Sequence, residues 1–163
     1  MVERCVMKIA VASDHAGFEI KKQLVEKLEK EYKIIDFGNF SDKSCDYPDY
    51  AAKVAEAVRR KDADRGILIC GSGIGMSIVA NKFKGIRAGL CFSEETAKLI
   101  AEHNFANIIC LPARIKVCGE NLTSEKLFSW IKIWLETKSS EEERHIGRIK
   151  KIEEIEKKNF KKK

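Results

Sequence analysis

The sequence contains no apolar run near the roughly 20 residues that a membrane-spanning helix needs, so no transmembrane segment is expected. Its first residues, Met1-Val2-Glu3-Arg4-Cys5, are polar, and the apolar run Ile9–Ala12 stops at Ser13-Asp14. Signal-peptide features are therefore missing as well. Six cysteines occur, at 5, 45, 70, 91, 110 and 118, yet no two form a C-x-x-C pair and none has metal-ligand spacing. Reduced thiols in a cytoplasmic protein, with no bound metal, are the expectation. The lysine of a Walker A phosphate loop is also absent. Net charge is +6, but seven lysines against three glutamates in 150–163 supply +4 of it. The remaining body is near neutral, which argues against a large nucleic-acid surface.

What is present fits one globular domain. The chain has 163 residues, 44% of them hydrophobic and 34% charged, enough for a sizeable core. The expectation is a single domain over 1–163, with its core at about 7–155 and a lysine-rich tail from 156 that frays.

The chain is organised around Ile67-Leu68-Ile69-Cys70-Gly71-Ser72-Gly73-Ile74-Gly75-Met76. Aliphatic residues run into a cysteine, then into glycines at alternate positions. After Gly75 the apolar spacing becomes helical, through Ile78, Val79 and Ala80. This reads as a buried strand, a glycine turn and a helix start. Glycines let backbone N–H groups approach an anion, and the helix dipole favours negative charge there. A thiol ending the strand would share that crevice, and its ionised form would be favoured by those N–H groups.

Other strands are expected at Met7–Ala12, Ile34–Gly38, Ile86–Cys91 and Asn107–Leu111. Helical spacing runs from Phe18 to Leu28, and a helix starts near Pro48-Asp49, where proline is tolerated in the first turn. Ser93-Glu94-Glu95-Thr96 reads as a partial capping box, because threonine stands where Glu or Gln is usual. A loop follows from Pro112 to about Leu122. Leu127, Trp130, Ile131, Trp134 and Leu135 mark one C-terminal helix, and Ile149, Ile152 and Ile155 mark another, opened by Arg144. Alternation of strands and helices five times predicts an α/β fold with a parallel sheet and helices on both faces. In such sheets ligands bind beyond the carboxyl ends of the strands. Here those ends carry Ser13-Asp14-His15, Cys70 to Gly75, Phe92-Ser93 and Pro112–Arg114.

Each of these residues has a plain reading too. The glycine turn is not the dinucleotide fingerprint, since Met76 takes the place of the third glycine and the unit is not the first, although Glu94 and Glu95 leave a ribose contact open. Cys70 could be a buried structural thiol. Asp14-His15 could cap a helix, and His103-Asn104 could simply end one. Arg144 and Arg148, at i and i+4, could be a solvated face or two guanidinium groups converging on one phosphate.

Taken together the residues resemble the ribose-5-phosphate isomerase B family, which includes the galactose-6-phosphate isomerase subunits. The resemblance is carried by Ser13-Asp14-His15-Ala16-Gly17, Asp46-Tyr47-Pro48, Cys70 to Gly75, Ala80-Asn81-Lys82, Gly85-Ile86-Arg87-Ala88, Glu102-His103-Asn104 and Arg144-His145 with Arg148. It implies a Rossmann-like three-layer α/β/α fold with a five-stranded parallel sheet. It implies a homodimer, or dimers paired into a tetramer, with active sites at the interface. It implies interconversion of ribose 5-phosphate and ribulose 5-phosphate in the non-oxidative pentose phosphate pathway, with no metal or organic cofactor. By position, Cys70 would be the base that moves a proton between the first two sugar carbons. The turn Gly71, Ser72, Gly73, Ile74 and Gly75 would hold the enediolate oxygen. His103, helped by Asp14 and Ser72, would open the furanose ring. His15, Arg114, Arg144 and Arg148 would bind phosphate, and Tyr47 and Asn104 would contact the sugar. Members without this cysteine use a glutamate just after the last glycine, whereas Met76 stands there in this chain, which places it in the thiol branch. Two departures stand out: a longer Ile115–Glu125 segment, and Glu142-Glu143 where the family has a glycine pair. Alternatives are an isomerase of a six-carbon sugar phosphate (allose 6-phosphate or galactose 6-phosphate) or a non-enzymatic nucleotide-binding module.

Overall fold

A computed structural model describes residues 6–117 and 119–160, so Cys5 and Cys118 lie outside the described residues. The strands are β1 (Lys8–Ser13), β2 (Lys33–Asp36), β3 (Arg65–Cys70), β4 (Ala88–Leu90) and β5 (Ile108–Pro112). The helices are α1 (Phe18–Leu28), α2 (Tyr47–Arg59), α3 (Ile74–Ala80), α4 (Glu94–Glu102), α5 (Ser124–Glu136) and α6 (Glu143–Asn159). All strand pairs are parallel, in the order β2-β1-β3-β5-β4. The fold is the expected Rossmann-like α/β arrangement with two further helices at the carboxyl terminus.

Alternation of side chains along each strand builds two cores. Ile9 and Val11 of β1, Ile67 and Ile69 of β3, and Ile109 and Leu111 of β5 pack with α1, α4 and α5. Ala10, Ala12, Leu68, Cys70, Ile108 and Cys110 face α2 and α3 instead. The three central strands are buried on both faces, which is why they read as continuous aliphatic runs. Strand order reverses between β1 and β3, so the loops that follow these strands part to opposite sides. In sheets of this kind ligands bind at such a point of divergence, which here lies at the carboxyl edge next to Cys70.

Several boundaries differ from expectation for local reasons. β4 is three residues, not six, because Asn107 Oδ1 accepts the Arg87 N–H (2.9 Å) and Asn81 Oδ1 accepts the Ala88 N–H (2.9 Å), in place of a longer ladder. The capping box of α4 is complete: Ser93 Oγ accepts the Thr96 N–H (3.1 Å) and Thr96 Oγ1 accepts the Ser93 N–H (2.9 Å), so threonine does the work assigned to Glu. The helix α6 continues to Asn159, into the segment expected to fray, and 161–163 lie outside the described residues.

Asp36 Oδ1 and Oδ2 each accept from Lys21 Nζ (2.6 Å), and this buried lysine also sits 4.7 Å from the Phe40 ring centroid. Asp36 Oδ1 accepts the Gly38 N–H (2.9 Å), and Gly38 O accepts the Ser13 N–H (2.7 Å). This chain of contacts ties α1 and the loop after β2 to the end of β1, beside Asp14.

The first turn of α1 lies unusually close to β3. A Cβ added at Gly17 would stand 2.7 Å from Ile69 Cγ2 and 2.9 Å from the Ile69 carbonyl oxygen, which the sheet holds in place. Overpacking of this kind costs about 1–3 kcal/mol, against about 0.4–1 kcal/mol gained by stiffening the unfolded chain. Gly17→Ala should therefore melt roughly 2 to 8 °C below the parent in a thermal unfolding scan. An unchanged or raised melting temperature would show that α1 can move away from β3 freely.

Candidate active site

At the carboxyl edge of the sheet Cys70 ends β3 with its side chain 4% exposed. The turn after it is shaped by Gly73, whose φ of 76° is left-handed and suits glycine. That conformation turns the Gly73 N–H back onto Cys70 Sγ, 3.1 Å away. A Cβ at Gly73 would also meet Leu90 Cδ1 at 2.7 Å and the Leu111 carbonyl carbon at 3.2 Å. Ser72 Oγ accepts the Ile74 N–H (3.3 Å). The Tyr47 ring lies across Gly75, with Cζ 2.6 Å from where a Cβ would be.

Two neighbouring loops join this turn. Asp14 is 6% exposed, and its Oδ1 accepts the Ala16 (2.8 Å) and Gly17 (3.1 Å) N–H groups. Its own N–H donates to Ile69 O (3.1 Å), which places it beside β3. His15 Nδ1 accepts the Cys45 N–H (3.4 Å), so in the neutral ring the proton sits on Nε2. After β5, Ala113 N–H donates to Cys70 O and Arg114 N–H to Gly71 O, each 2.9 Å. Asp14, His15, Tyr47, Cys70, Gly71, Ser72, Gly73, Ile74, Gly75 and Arg114 thus share one edge.

The other candidates lie at the opposite edge. His103 and Asn104 follow α4, whose chain runs back to the start of β5. The registered pairs Gly66–Ile108 and Cys70–Pro112 mark the two edges, four residues or roughly 13 Å apart along the sheet. Arg144 and Arg148 belong to α6, which is anchored here by His145. The His145 ring stacks on His103 with centroids 4.0 Å apart and planes 10° apart. Ser140 N–H donates to Glu102 O (2.8 Å), tying the loop between α5 and α6 to the end of α4. Arg144 Nε pairs with Glu142 Oε2 at 2.6 Å, an exposed contact worth about 0–1 kcal/mol. Glu142 therefore occupies one guanidinium at the start of α6. Arg148 is exposed and makes no ion pair among the described residues.

Four thiols are free among the described residues. Burial pushes the Cys110 and Cys91 thiols up, which keeps them protonated and unreactive. Cys45 is partly exposed, its Sγ accepts from Asn39 Nδ2 (3.1 Å), and its backbone touches His15. Sequence reasoning passed over Cys45 and gave His145 no role. Their proximity to site residues comes from tertiary contacts, not from spacing. A cavity of about 420 Å³ lies elsewhere, between β4 and α6, and borders Asn104. Among the described residues no helix is long and apolar enough to cross a membrane.

A family model described as Ribose/Galactose Isomerase matches residues 9–152. The chain is 43% identical over 125 residues to ribose-5-phosphate isomerase B of Escherichia coli, covering 76% of this chain and 83% of that one. It is similar to the solved ribose-5-phosphate isomerase B of Clostridium thermocellum, with a TM-score of 0.86, 44% identity, and 94% and 99% of the two chains covered. It is likewise similar to the enzyme of Mycoplasma genitalium solved with bound ribulose 5-phosphate, with a TM-score of 0.83, 40% identity, and 93% and 97% covered.

His145 has a consequence for pH. Burial, then the nearby His103 and Arg144, hold its imidazole below the ordinary histidine value, against the opposing pull of Glu142. The unfolded chain titrates near 6.5, so between the two values it binds more protons than the folded chain, and stability rises with pH. The contribution is full above about pH 6.5 and is lost as pH falls below it. His145→Phe removes the group, so its drop in melting temperature between pH 7.5 and pH 5 should be smaller than that of the parent. Equal drops in both proteins would show that His145 takes no part in acid sensitivity.

Proposed function

The chain belongs to the ribose/galactose isomerase family, and we propose that it interconverts D-ribose 5-phosphate and D-ribulose 5-phosphate with Cys70 as proton carrier, in sites that a second copy completes. The observation that supports the thiol is the Gly73 N–H aimed at Cys70 Sγ from 3.1 Å, at the ligand-binding edge of the sheet. Met76, which follows the turn, is fully buried and offers no carboxylate in its place.

The chemistry follows from that geometry. Ring opening moves the hydroxyl proton of C1 to the ring oxygen, and His103, helped by Asp14 and Ser72, would carry it. The Cys70 thiolate then takes the proton from C2, and negative charge develops on the C1 oxygen. The N–H groups of the turn from Gly71 to Gly75 are donors that need no rearrangement as that charge appears. Returning the proton to C1, while the C2 hydroxyl proton passes to the C1 oxygen, yields the ketose. No metal, cofactor or outside oxidant enters this balance. His15 Nε2–H and Arg114 would hold phosphate on the thiol side, with Tyr47 against the sugar. Phosphate held away from the reacting carbons orients them.

This reading calls for a second copy because the edge that carries His103, Asn104 and the start of α6 lies roughly 13 Å along the sheet from the edge that carries Cys70, beyond the reach of a hydrogen bond. A two-fold pair would bring each chain's amino-edge cluster to its partner's thiol edge, making two equal sites. The exposed apolar residues Ile74 and Ile78 on α3, and Ile152, Ile155 and Phe160 on or beside α6, suit burial in such a pair.

A coupled assay with EDTA present tests the reaction, with allose 6-phosphate as the six-carbon comparison. Cys70→Ala should stay folded and lose about 100-fold or more in turnover, the usual worth of a positioned base. Alkylation should inactivate a Cys45→Ser background and be slowed by ribose 5-phosphate; that background is needed because Cys45 touches His15. Near-parental turnover in Cys70→Ala would remove the thiol from the mechanism.

Sharing of the site is tested by mixing. Cys70→Ala and His103→Ala should each be nearly inactive alone. Refolded together, half of the dimers would be mixed and each would regain one intact site, giving about a quarter of parental activity. No recovery, with mixed dimers confirmed by mass, would place both residues in one chain's site.

A further inference from the structure

We propose that His145 is a positioning residue for His103, its ring forming the platform that fixes the angle at which the His103 imidazole meets the sugar. The proposal rests on the reading that His103 opens the furanose ring. His103 lies just beyond α4, and its side chain makes no hydrogen bond among the described residues. Glu102 Oε2 is 3.9 Å from His103 Nε2, too far to hold it. What holds the ring is the face-to-face stack on His145, 4.0 Å between centroids and 10° between planes.

The geometry also shows which part of His145 is used. The residue is 3% exposed, and neither Nδ1 nor Nε2 has a hydrogen-bond partner. A parallel stack does not point nitrogen at nitrogen, so no proton passes directly between the rings. Burying two unpaired polar atoms costs stability. The face of the ring must therefore supply what the nitrogens do not. The platform is itself rigid: His145 N–H donates to Glu142 O (3.0 Å), Glu142 N–H to Ser140 Oγ (3.1 Å), and Ser140 N–H to Glu102 O (2.8 Å). Each end of the stack is thus tied to the other through a short loop. Burial, His103, Arg144 and Arg148 oppose charge on His145 while Glu142, 3.9 Å from Nε2, favours it, and the balance leaves the platform neutral.

The test separates ring opening from proton abstraction. Ribulose 5-phosphate is open-chain, because its C5 oxygen carries the phosphate. In D2O the isomerase exchanges a C1 hydrogen of that ketose through the enediolate alone, and NMR reads the exchange. Consumption of ribose 5-phosphate needs ring opening as well. His145→Ala should lower ribose 5-phosphate turnover by about tenfold or more, as expected for a misplaced group, while exchange stays within about threefold of the parent. Retained exchange also shows that the variant folds and assembles. His145→Phe keeps a stacking ring and gives up no hydrogen bond, so it should recover most of the lost turnover.

Parental turnover in His145→Ala, equal losses of turnover and exchange, or a His145→Phe variant no better than His145→Ala would each overturn the proposal. His103→Ala distinguishes its failure from that of the underlying reading. Loss of turnover with exchange kept upholds the role of His103. Parental turnover or lost exchange in His103→Ala overturns that role, and the platform with it.

Discussion

All five strands point the same way, and most of what the molecule can do follows from that polarity. Parallel pairing sends every strand's carboxyl end to one edge, and helices α1 to α5 carry the chain back to the other. Residues just past a strand therefore gather with Cys70, and residues just past a helix gather with His103. The two groups are complementary in chemistry: thiol and backbone donors on one side, imidazole and guanidinium groups on the other. A single chain cannot fold one edge onto the other without breaking the sheet. On the reading proposed above, joining the two groups is a problem of assembly, for which the exposed apolar residues of α3 and α6 would give a driving force.

At the thiol edge, positioning is done by backbone. Gly73 adopts a left-handed conformation, and its amide is consequently returned to the sulfur that ends the preceding strand. The loop after β5 is bonded to the carbonyls of Cys70 and Gly71, and Asp14 is bonded to Ile69, so the strand end is braced from both sides. Lys21 and Asp36 extend that bracing to the segment beside His15. Donors built this way lose little freedom when a charge appears between them, which is the property an enediolate site needs.

Much of this was legible in the sequence because central parallel strands are apolar on both faces. Ile67 to Cys70 and Asn107 to Leu111 could hardly be anything else. The glycine turn announced itself by alternation, and the resemblance suggested which residues would act with Cys70. The edge strand β4 was misjudged, since Asn81 and Asn107 side chains take up backbone groups that the aliphatic run seemed to promise to a ladder. Thr96 filled a capping place that propensity gives to Glu or Gln, because one hydroxyl can accept from the Ser93 N–H while its own amide donates to Ser93. The stack of His145 on His103 joins positions 42 apart, and Cys45 meets His15 across 30 residues. Contacts of that kind leave no periodic trace.

The Tyr47 ring resting on Gly75 couples two positions that belong to different elements. A side chain at 75 would not break the turn, whose backbone there is ordinary. It would push a partly exposed ring outward, into solvent. The penalty would fall on whatever the ring touches and not on the fold. In the course of sequence drift, 75 can therefore grow only when 47 shrinks or leaves. A survey that changes one residue at a time would record 75 as closed to any larger side chain, although a prior change at 47 would open it.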